Sequence, residues 1–217
     1  MERFFILDKF NTWYDWGLIL TAKNITPPEP KTNYVELDGA NGTLDLSESL
    51  TGEVVYNDRT IAASFWTSEG SYKDREKLLR NIVAALHGKK IKIIEPDDPT
   101  HYFYGRVTVK SVTNILPYME FSIEAVCEPW RYAVDDTERI INVYNSSVDA
   151  VIINNGVKTL SPIITVSGSV DIAHNGVTVS LSEGSYRLTN VKLYSGVNVI
   201  TISGRGSATF TYKEALL

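Results

Sequence analysis

A single cysteine, two methionines and three histidines in 217 residues leave this chain little material for redox or metal chemistry. With Cys127 alone no intrachain disulfide can form, so folding in a reducing cytoplasm is the simple expectation. Cys127 falls on the apolar side of its segment and reads as a small buried hydrophobe rather than a reactive thiol. His87, His101 and His174 are far apart and none has a metal-ligand spacing, so each is read as structural, with His87 placed to meet a helix C-terminus. Long apolar runs are missing too. The opening MERFFILDKF has only four apolar residues between flanking charges, so neither a signal peptide nor an anchor is expected there. Positive charge is scarce: 21 basic against 26 acidic residues give a net charge of -5, which provides no electrostatic footprint for wrapping nucleic acid.

Catalytic patterns are equally sparse. Neither a G-x-S-x-G elbow nor a phosphate loop occurs, and Gly204-Arg205-Gly206 lacks the third glycine and following helix of a dinucleotide fingerprint, so it is read as a hairpin turn. Asp97 and Asp98 lie between two prolines and read as a rigid exposed loop rather than a glycosidase pair. Asp45, Ser47 and Glu48 have no glycine at the sharp-turn position a calcium loop needs. No catalytic, cofactor-binding or metal-ligating residue is expected, and no cofactor.

What the chain does have is 43% hydrophobic content, enough for real cores, arranged mostly with period two. Met119, Phe121, Ile123, Ala125 and Cys127 alternate with Tyr118, Glu120, Ser122 and Glu124, the pattern of a half-buried antiparallel strand. Its expected partner is His101 to Val112, joined through a turn over Asn114 to Pro117. Three Asn-Gly pairs, at 41–42, 155–156 and 175–176, favour two-residue hairpin turns. One segment departs from this period: Leu78, Ile82 and Leu86, flanked by Leu79 and Val83, predict an amphipathic helix over Tyr72 to His87. Ser71 and Asp74 resemble a capping box and Gly88 a left-handed C-cap, while Lys73, Asp74, Arg75, Glu76, Lys77 and Arg80 form the expected wet face. The cluster Trp13-Tyr14-Asp15-Trp16-Gly17 is either an aromatic anchor packed on the first domain or a protein-contact surface, and the anchor is the favoured reading.

All four tryptophans and the helix precede a shift near Trp130 to Glu138, after which Val, Ile, Ser, Thr, Asn and Gly dominate. Two domains are therefore expected, residues 1–135 and 136–217, the second a small β-sandwich with strands at Val177 to Leu181, Ser185 to Leu188, Asn198 to Ile202 and Ala208 to Tyr212. The fold class is all-β with one α-helix: an N-terminal antiparallel β domain followed by the sandwich.

The stretch Tyr34 to Arg59 carries a longer signature. Glu36, Leu37, Gly39, Asn41, Gly42, Asp45, Leu46 and Ser47, then Tyr56 and Arg59, follow an E-L-x-G-x-[ND]-G-x-x-D-[LI]-[ST] pattern with a spacer, an aromatic and a strand-opening arginine. This resembles the N-terminal signature of the distal tail proteins of long-tailed bacteriophages. Further words agree in order and spacing. Cys127-Glu128-Pro129-Trp130-Arg131-Tyr132 is similar to the end of that family's first domain, and Ile153 to Gly156 with Ser161 to Gly168 to the opening of its galectin-like second domain. Gly196 to Ile200 and Ala208 to Tyr212 resemble its closing strands.

The resemblance implies a structural, non-enzymatic hub at the virion tail tip, made in the bacterial host cytoplasm. First domains would associate into a hexameric ring joining the tail tube to the adsorption apparatus, with second domains projecting outward. Implied partners are other copies of the chain, the tube protein, and a tail-associated lysin or fibre protein, with no specific nucleic-acid or membrane binding. The negative net charge suits a channel that must not retain a polyanion. Gly39, Gly42 and Asp45 are read as turn and strand-start positions of the ring-forming domain. The alternative is a carbohydrate-binding module contacting the host surface; against it, no tryptophan follows Trp130, and the aromatics beyond Glu138 are only Tyr144, Tyr186, Tyr194, Phe210 and Tyr212. A hydrolase is disfavoured because the sequence has no nucleophile elbow, phosphate loop or metal-ligand spacing.

Overall fold

The computed structural model describes residues 4–39 and 41–217. The chain divides between Arg131 and Tyr132 into two compact units, with Leu217 grouped with the first.

The first unit contains β1 (Ile6–Leu7), β2 (Phe10–Asn11), β3 (Ile19–Ile25), β4 (Tyr34–Glu36), β5 (Thr43–Asp45), β6 (Arg59–Thr67), α1 (Tyr72–Leu86), β7 (Lys90–Glu95), β8 (Asp98–Ile115) and most of β9 (Tyr118–Ala133). One antiparallel sheet runs in the order β2-β1-β7-β8-β9-β6-β3, and β4 and β5 form a separate pair. The alternation in β9 does what period two requires: Met119, Phe121, Ile123, Ala125 and Cys127 are all buried. Opposite them β6 places Phe65 against Phe121, Ala63 against Ile123 and Ile61 against Ala125. The Phe65 and Phe121 rings stack 5.5 Å apart, and each fully buried side chain of this kind stabilises by about 2–3 kcal/mol. A Cβ at Gly105 of β8 would lie 2.3 Å from Cys127 Sγ, so glycine is what lets these backbones approach.

Helix α1 begins at Ser71, whose Oγ accepts the Asp74 N–H at 3.3 Å while the Asp74 carboxylate accepts the Ser71 N–H at 2.9 Å, a complete capping box. After the C-cap at His87, Gly88 takes a φ of 76°, the left-handed ending glycine allows. Ile82 and Leu86 are buried in the core, with Leu78 and Leu79 packed against it and Val83 at the helix margin. Arg75 departs from the expected wet face. It is buried, and its guanidinium donates to Asn114 Oδ1 at 3.1 Å, Gly70 O at 2.8 Å and Ile115 O at 3.4 Å. The residue is charged but sits one turn ahead of Leu78 and Leu79 on the inward face, and these acceptors make its burial tolerable. His87 is the C-cap residue, at the helix end where it was expected, and its Nδ1 accepts the Val109 N–H at 3.2 Å.

The second unit contains β10 (Thr137–Asn154), β11 (Ile163–His174), β12 (Val177–Leu181), β13 (Gly184–Arg187) and β14 (Gly196–Tyr212). Its antiparallel sheet is ordered β10-β14-β11-β12, with β13 pairing the other half of β11's free edge. Two strands predicted separately, Asn198 to Ile202 and Ala208 to Tyr212, are one 17-residue strand. Gly204-Arg205-Gly206 is accordingly not a hairpin turn but the middle of β14. Gly206 faces Gly168 of β11 and Gly204 faces Val170, and a Cβ at Gly206 would lie 2.0 Å from Ser167 O. Gly168, Gly204 and Gly206 fall in phase with the buried Ile164, Val166, Ile200, Ile202, Ala208 and Phe210, so the inward side is stripped of side chains midway along both strands. The sheet curls there and both halves of each strand reach a single core. A bulge at Asn145, with φ 52°, shifts β10 by one residue, which moves its buried set from Val143 to the even-numbered Ile152 and Asn154.

Of the Asn-Gly pairs, Asn175-Gly176 makes the predicted two-residue turn between His174 and Val177, with φ of 50° and 77°. Asn41-Gly42 instead ends the loop joining Glu36 to Thr43, and Asn155-Gly156 closes no hairpin: Asn154 Oδ1 accepts the Gly156 N–H at 3.0 Å in the segment after β10. The predicted turn over Asn114 to Pro117 is shorter, since β8 continues to Ile115.

Candidate functional site

Two features of the first unit stand apart from its core: the arm between β3 and β6, and a cavity where that arm leaves the sheet. In the arm, Glu36 closes β4 and Asp45 closes β5. Gly39 and Gly42 between them adopt φ of 82° and 78°, where any other residue would be strained. Asp45 Oδ1 accepts the Ser47 N–H at 2.9 Å and its hydroxyl, and Ser47 Oγ in turn accepts the Asn33 N–H at 2.8 Å. These hydrogen bonds from Ser47 hold the Asp45 carboxyl below its usual range. Leu46 N–H donates to Asn33 O at 2.8 Å, and Lys31 N–H to Val55 O at 2.7 Å, so the arm's two sides are tied along its length.

What the arm lacks is a core. Tyr34, Leu37, Leu44, Leu50 and Val54 are all exposed, Leu50 at 98%, and none belongs to either buried cluster. A two-stranded ribbon is marginal in water by itself, and apolar side chains grouped on one mark a surface for covering. Between Tyr34 and Asp58 the arm carries Glu36, Asp38, Asp45, Glu48, Glu53 and Asp58 and no lysine or arginine.

At the arm's base Tyr56 and Trp130 meet edge-on with ring centroids 5.6 Å apart, and Pro129 precedes Trp130 in β9. Arg59 opens β6 opposite Cys127. Thus residues from both ends of the first unit's signature converge here. Beside them is a cavity of about 570 Å³ lined by Lys23, Ile25, Pro27, Pro28, Arg59, Glu95, Phe103 and Arg131. Lys23 pairs with Glu95, and with Asp97 Oδ2 at 2.7 Å. Arg131 lies 3.7 Å from Glu95 Oε1 and 3.6 Å from Asp98 Oδ2, and donates to the Leu217 main-chain oxygen at 3.1 Å. Asp98 is therefore no solvated loop residue: it opens β8 and also meets His101 Nδ1 at 3.0 Å. Arg59 and Arg131 both lie over the Phe103 ring, 5.2 and 5.9 Å from its centroid, contacts worth about 1 kcal/mol each. Burial, then the neighbouring Arg131 charge, lowers the Arg59 pKa from its ordinary value.

The aromatic cluster near the N-terminus is split. Trp16 stacks on Phe10 at 4.9 Å and packs against the core, whereas Tyr14 is exposed. His174 in the second unit is buried with its two ring nitrogens 2.9 and 2.8 Å from the carbonyl oxygens of Val199 and Lys192. Among the described residues no group of three His, Cys, Asp or Glu side chains is arranged to hold a metal, and no helix is long and apolar enough to cross a membrane.

An antiparallel β unit with one helix followed by a curled antiparallel β unit is an architecture also found in a solved phage adsorption-apparatus protein. In particular, the chain is similar to the crystal structure of the SPP1 Dit protein (gp 19.1), described as a paradigm of the hub adsorption apparatus in phages infecting Gram-positive hosts. The match has a TM-score of 0.73, covers 99% of this chain and 99% of that one, and has 13% sequence identity. No protein-family model matches the sequence, and no curated protein matches it.

Proposed function

We propose that this protein is a structural hub of a phage tail tip, whose first units form a hexameric ring joining the tail tube to the host-adsorption apparatus. The fold likeness to the SPP1 hub protein supports the class. The observation that carries the ring itself is the coreless arm. A ring larger than a dimer needs two different, complementary surfaces on each subunit. The arm supplies one: apolar Tyr34, Leu37, Leu44 and Leu50 within an acidic segment. Exposed Lys73, Lys77 and Arg80 on α1 offer cationic charge for the neighbouring copy's arm. The tube protein stacks on one side of the ring and a lysin or fibre protein on the other, and the protein works as a scaffold in the virion rather than as an enzyme.

Electron microscopy of the concentrated full chain tests this, together with tail tips carrying a tag on Leu217. Six-fold rings and a tagged collar at the tube end are expected, and Leu37→Asp with Leu44→Asp should leave a folded monomer. A tag located elsewhere on the particle, or rings unaffected by the arm variants, would overturn the assignment or the arm's part in it respectively.

A further inference from the structure

The sequence holds three Asn-Gly pairs, and the fold constrains each differently. An asparagine followed by glycine can lose its side-chain amide without an enzyme, because glycine has no Cβ to shield its nitrogen from the neighbouring Cγ. The reaction needs an amide nitrogen free to attack and a backbone free to turn about the asparagine ψ, so that a five-membered ring can close. Asn155-Gly156 has neither. The Gly156 N–H is committed to Asn154 Oδ1 at 3.0 Å, and Asn155 Nδ2 donates to Glu214 Oε1 at 2.9 Å. Gly156 is buried so closely that a Cβ on it would lie 2.5 Å from Ala215 O. Asn175-Gly176 is the two-residue turn of a hairpin, clamped by the pairing of His174 with Val177, and Asn175 Nδ2 lies 3.1 Å from His174 Nε2. Asn41-Gly42 in the arm is held by none of these devices. Both residues are exposed, and a Cβ on Gly42 would meet nothing within 4 Å. Among the described residues neither the Asn41 side chain nor the Gly42 N–H has a hydrogen-bond partner.

We propose that Asn41 is a site of spontaneous modification by water, deamidation through a cyclic imide, which makes the arm the part of the molecule whose charge changes with time. The Gly42 nitrogen loses its proton and attacks Asn41 Cγ. The N–Cγ bond forms, the Cγ–Nδ2 bond breaks, and the side-chain nitrogen leaves as ammonia. Water then adds to one of the two imide carbonyls and opens the ring. Opening at Cγ gives aspartate, and opening at the main-chain carbonyl carbon gives isoaspartate; nothing is oxidised or reduced. Either product adds a carboxylate to a segment that already holds Glu36, Asp38, Asp45, Glu48, Glu53 and Asp58 and no lysine or arginine. Isoaspartate also routes the main chain through the Asn41 Cβ and Cγ, which lengthens the loop between the paired residues Glu36 and Thr43.

The test holds the full chain in mildly alkaline buffer, folded or in guanidinium chloride, and follows it by tryptic peptide mapping with mass spectrometry. Cleavage after lysine and arginine puts the three pairs in separate peptides, 32–59, 140–158 and 159–187. In the folded chain Asn41 should convert at least about tenfold faster than Asn155 or Asn175, a barrier difference of about 1.4 kcal/mol. In denaturant the three rates should converge, since the dipeptide is the same and the fold no longer separates them. Asn41→Gln should stop the change in peptide 32–59, because glutamine would have to close a six-membered ring. Should that variant fail to fold, the comparison of folded and denatured wild type decides alone. Folded-state conversion of Asn155 or Asn175 as fast as that of Asn41 overturns the proposal. So does an Asn41 rate far lower in the folded chain than in denaturant, or a mass change that persists in peptide 32–59 of the variant.

Discussion

Replacing Ile82 by alanine tests the placement of α1 with a magnitude that follows from burial. Ile82 is 0% exposed and sits in the first unit's core, whereas its neighbour Val83 is 37% exposed. Ile82→Ala removes about three buried carbons at ~0.8 kcal/mol each, roughly 2.4 kcal/mol of transfer free energy. The cavity left against the sheet adds about 1 kcal/mol more, for a total of about 3–4 kcal/mol. Val83→Ala removes carbons that are already partly wet and gains slightly in helix propensity, so its cost should stay under about 1 kcal/mol. All four tryptophans precede Tyr132, so urea unfolding followed by tryptophan fluorescence reports on the first unit. Equal midpoints for the two variants would mean that the helix does not bury the face assigned to it.

Cys127 is 0% exposed and burial pushes its thiol up to about 12, so Ellman's reagent at pH 8 should label it only after denaturation; labelling of the folded chain at the rate of a free thiol would contradict the packing against Gly105. The Asp74 carboxyl is held below the usual carboxylate range by hydrogen bonds from the Ser71 hydroxyl and N–H. Because its folded value is depressed, its contribution to helix stability is present above an unfolded value near about 4 and is lost as pH falls through the folded one. Carbon-detected NMR titration should therefore find Asp74 below the ordinary value and Ser71→Ala should raise it; an unchanged midpoint in the variant would refute the capping box as the cause.

How much of this architecture could be read in advance depended on whether the deciding contacts were local. The strand Met119 to Cys127 and the helix stripe Ile82 and Leu86 were legible because each inward position carries an apolar side chain at the period its own backbone imposes. Gly204-Arg205-Gly206 misled for the opposite reason. Two glycines within three residues are a turn signal locally, but their purpose is set by Gly168 and Ser167, nearly forty residues away in sequence and directly across the ladder. The loop at Asn41-Gly42 was misjudged similarly: the dipeptide supplies a left-handed residue, but pairing of Glu36 with Thr43 sets the loop length.

The two buried arginines refine the point. Both occupy inward phase: Arg59 alternates with Ile61, Ala63 and Phe65 along β6, and Arg75 precedes Leu79, Ile82 and Leu86 at helical spacing. Phase was therefore a usable signal for burial, and assigning Arg75 to the wet face gave residue type priority over position. Phase says nothing of what receives the charge. For Arg75 the acceptors come from Gly70, Asn114 and Ile115, a loop and the end of another strand. For Arg59 the same pattern leads to a cavity wall and the ring of Phe103, with two N–H groups left over. Phase therefore predicts which arginines are buried, whereas the groups that receive their charge, amide and main-chain oxygens for Arg75 and the Phe103 ring with the nearby Glu95 charge for Arg59, come from other segments of the chain.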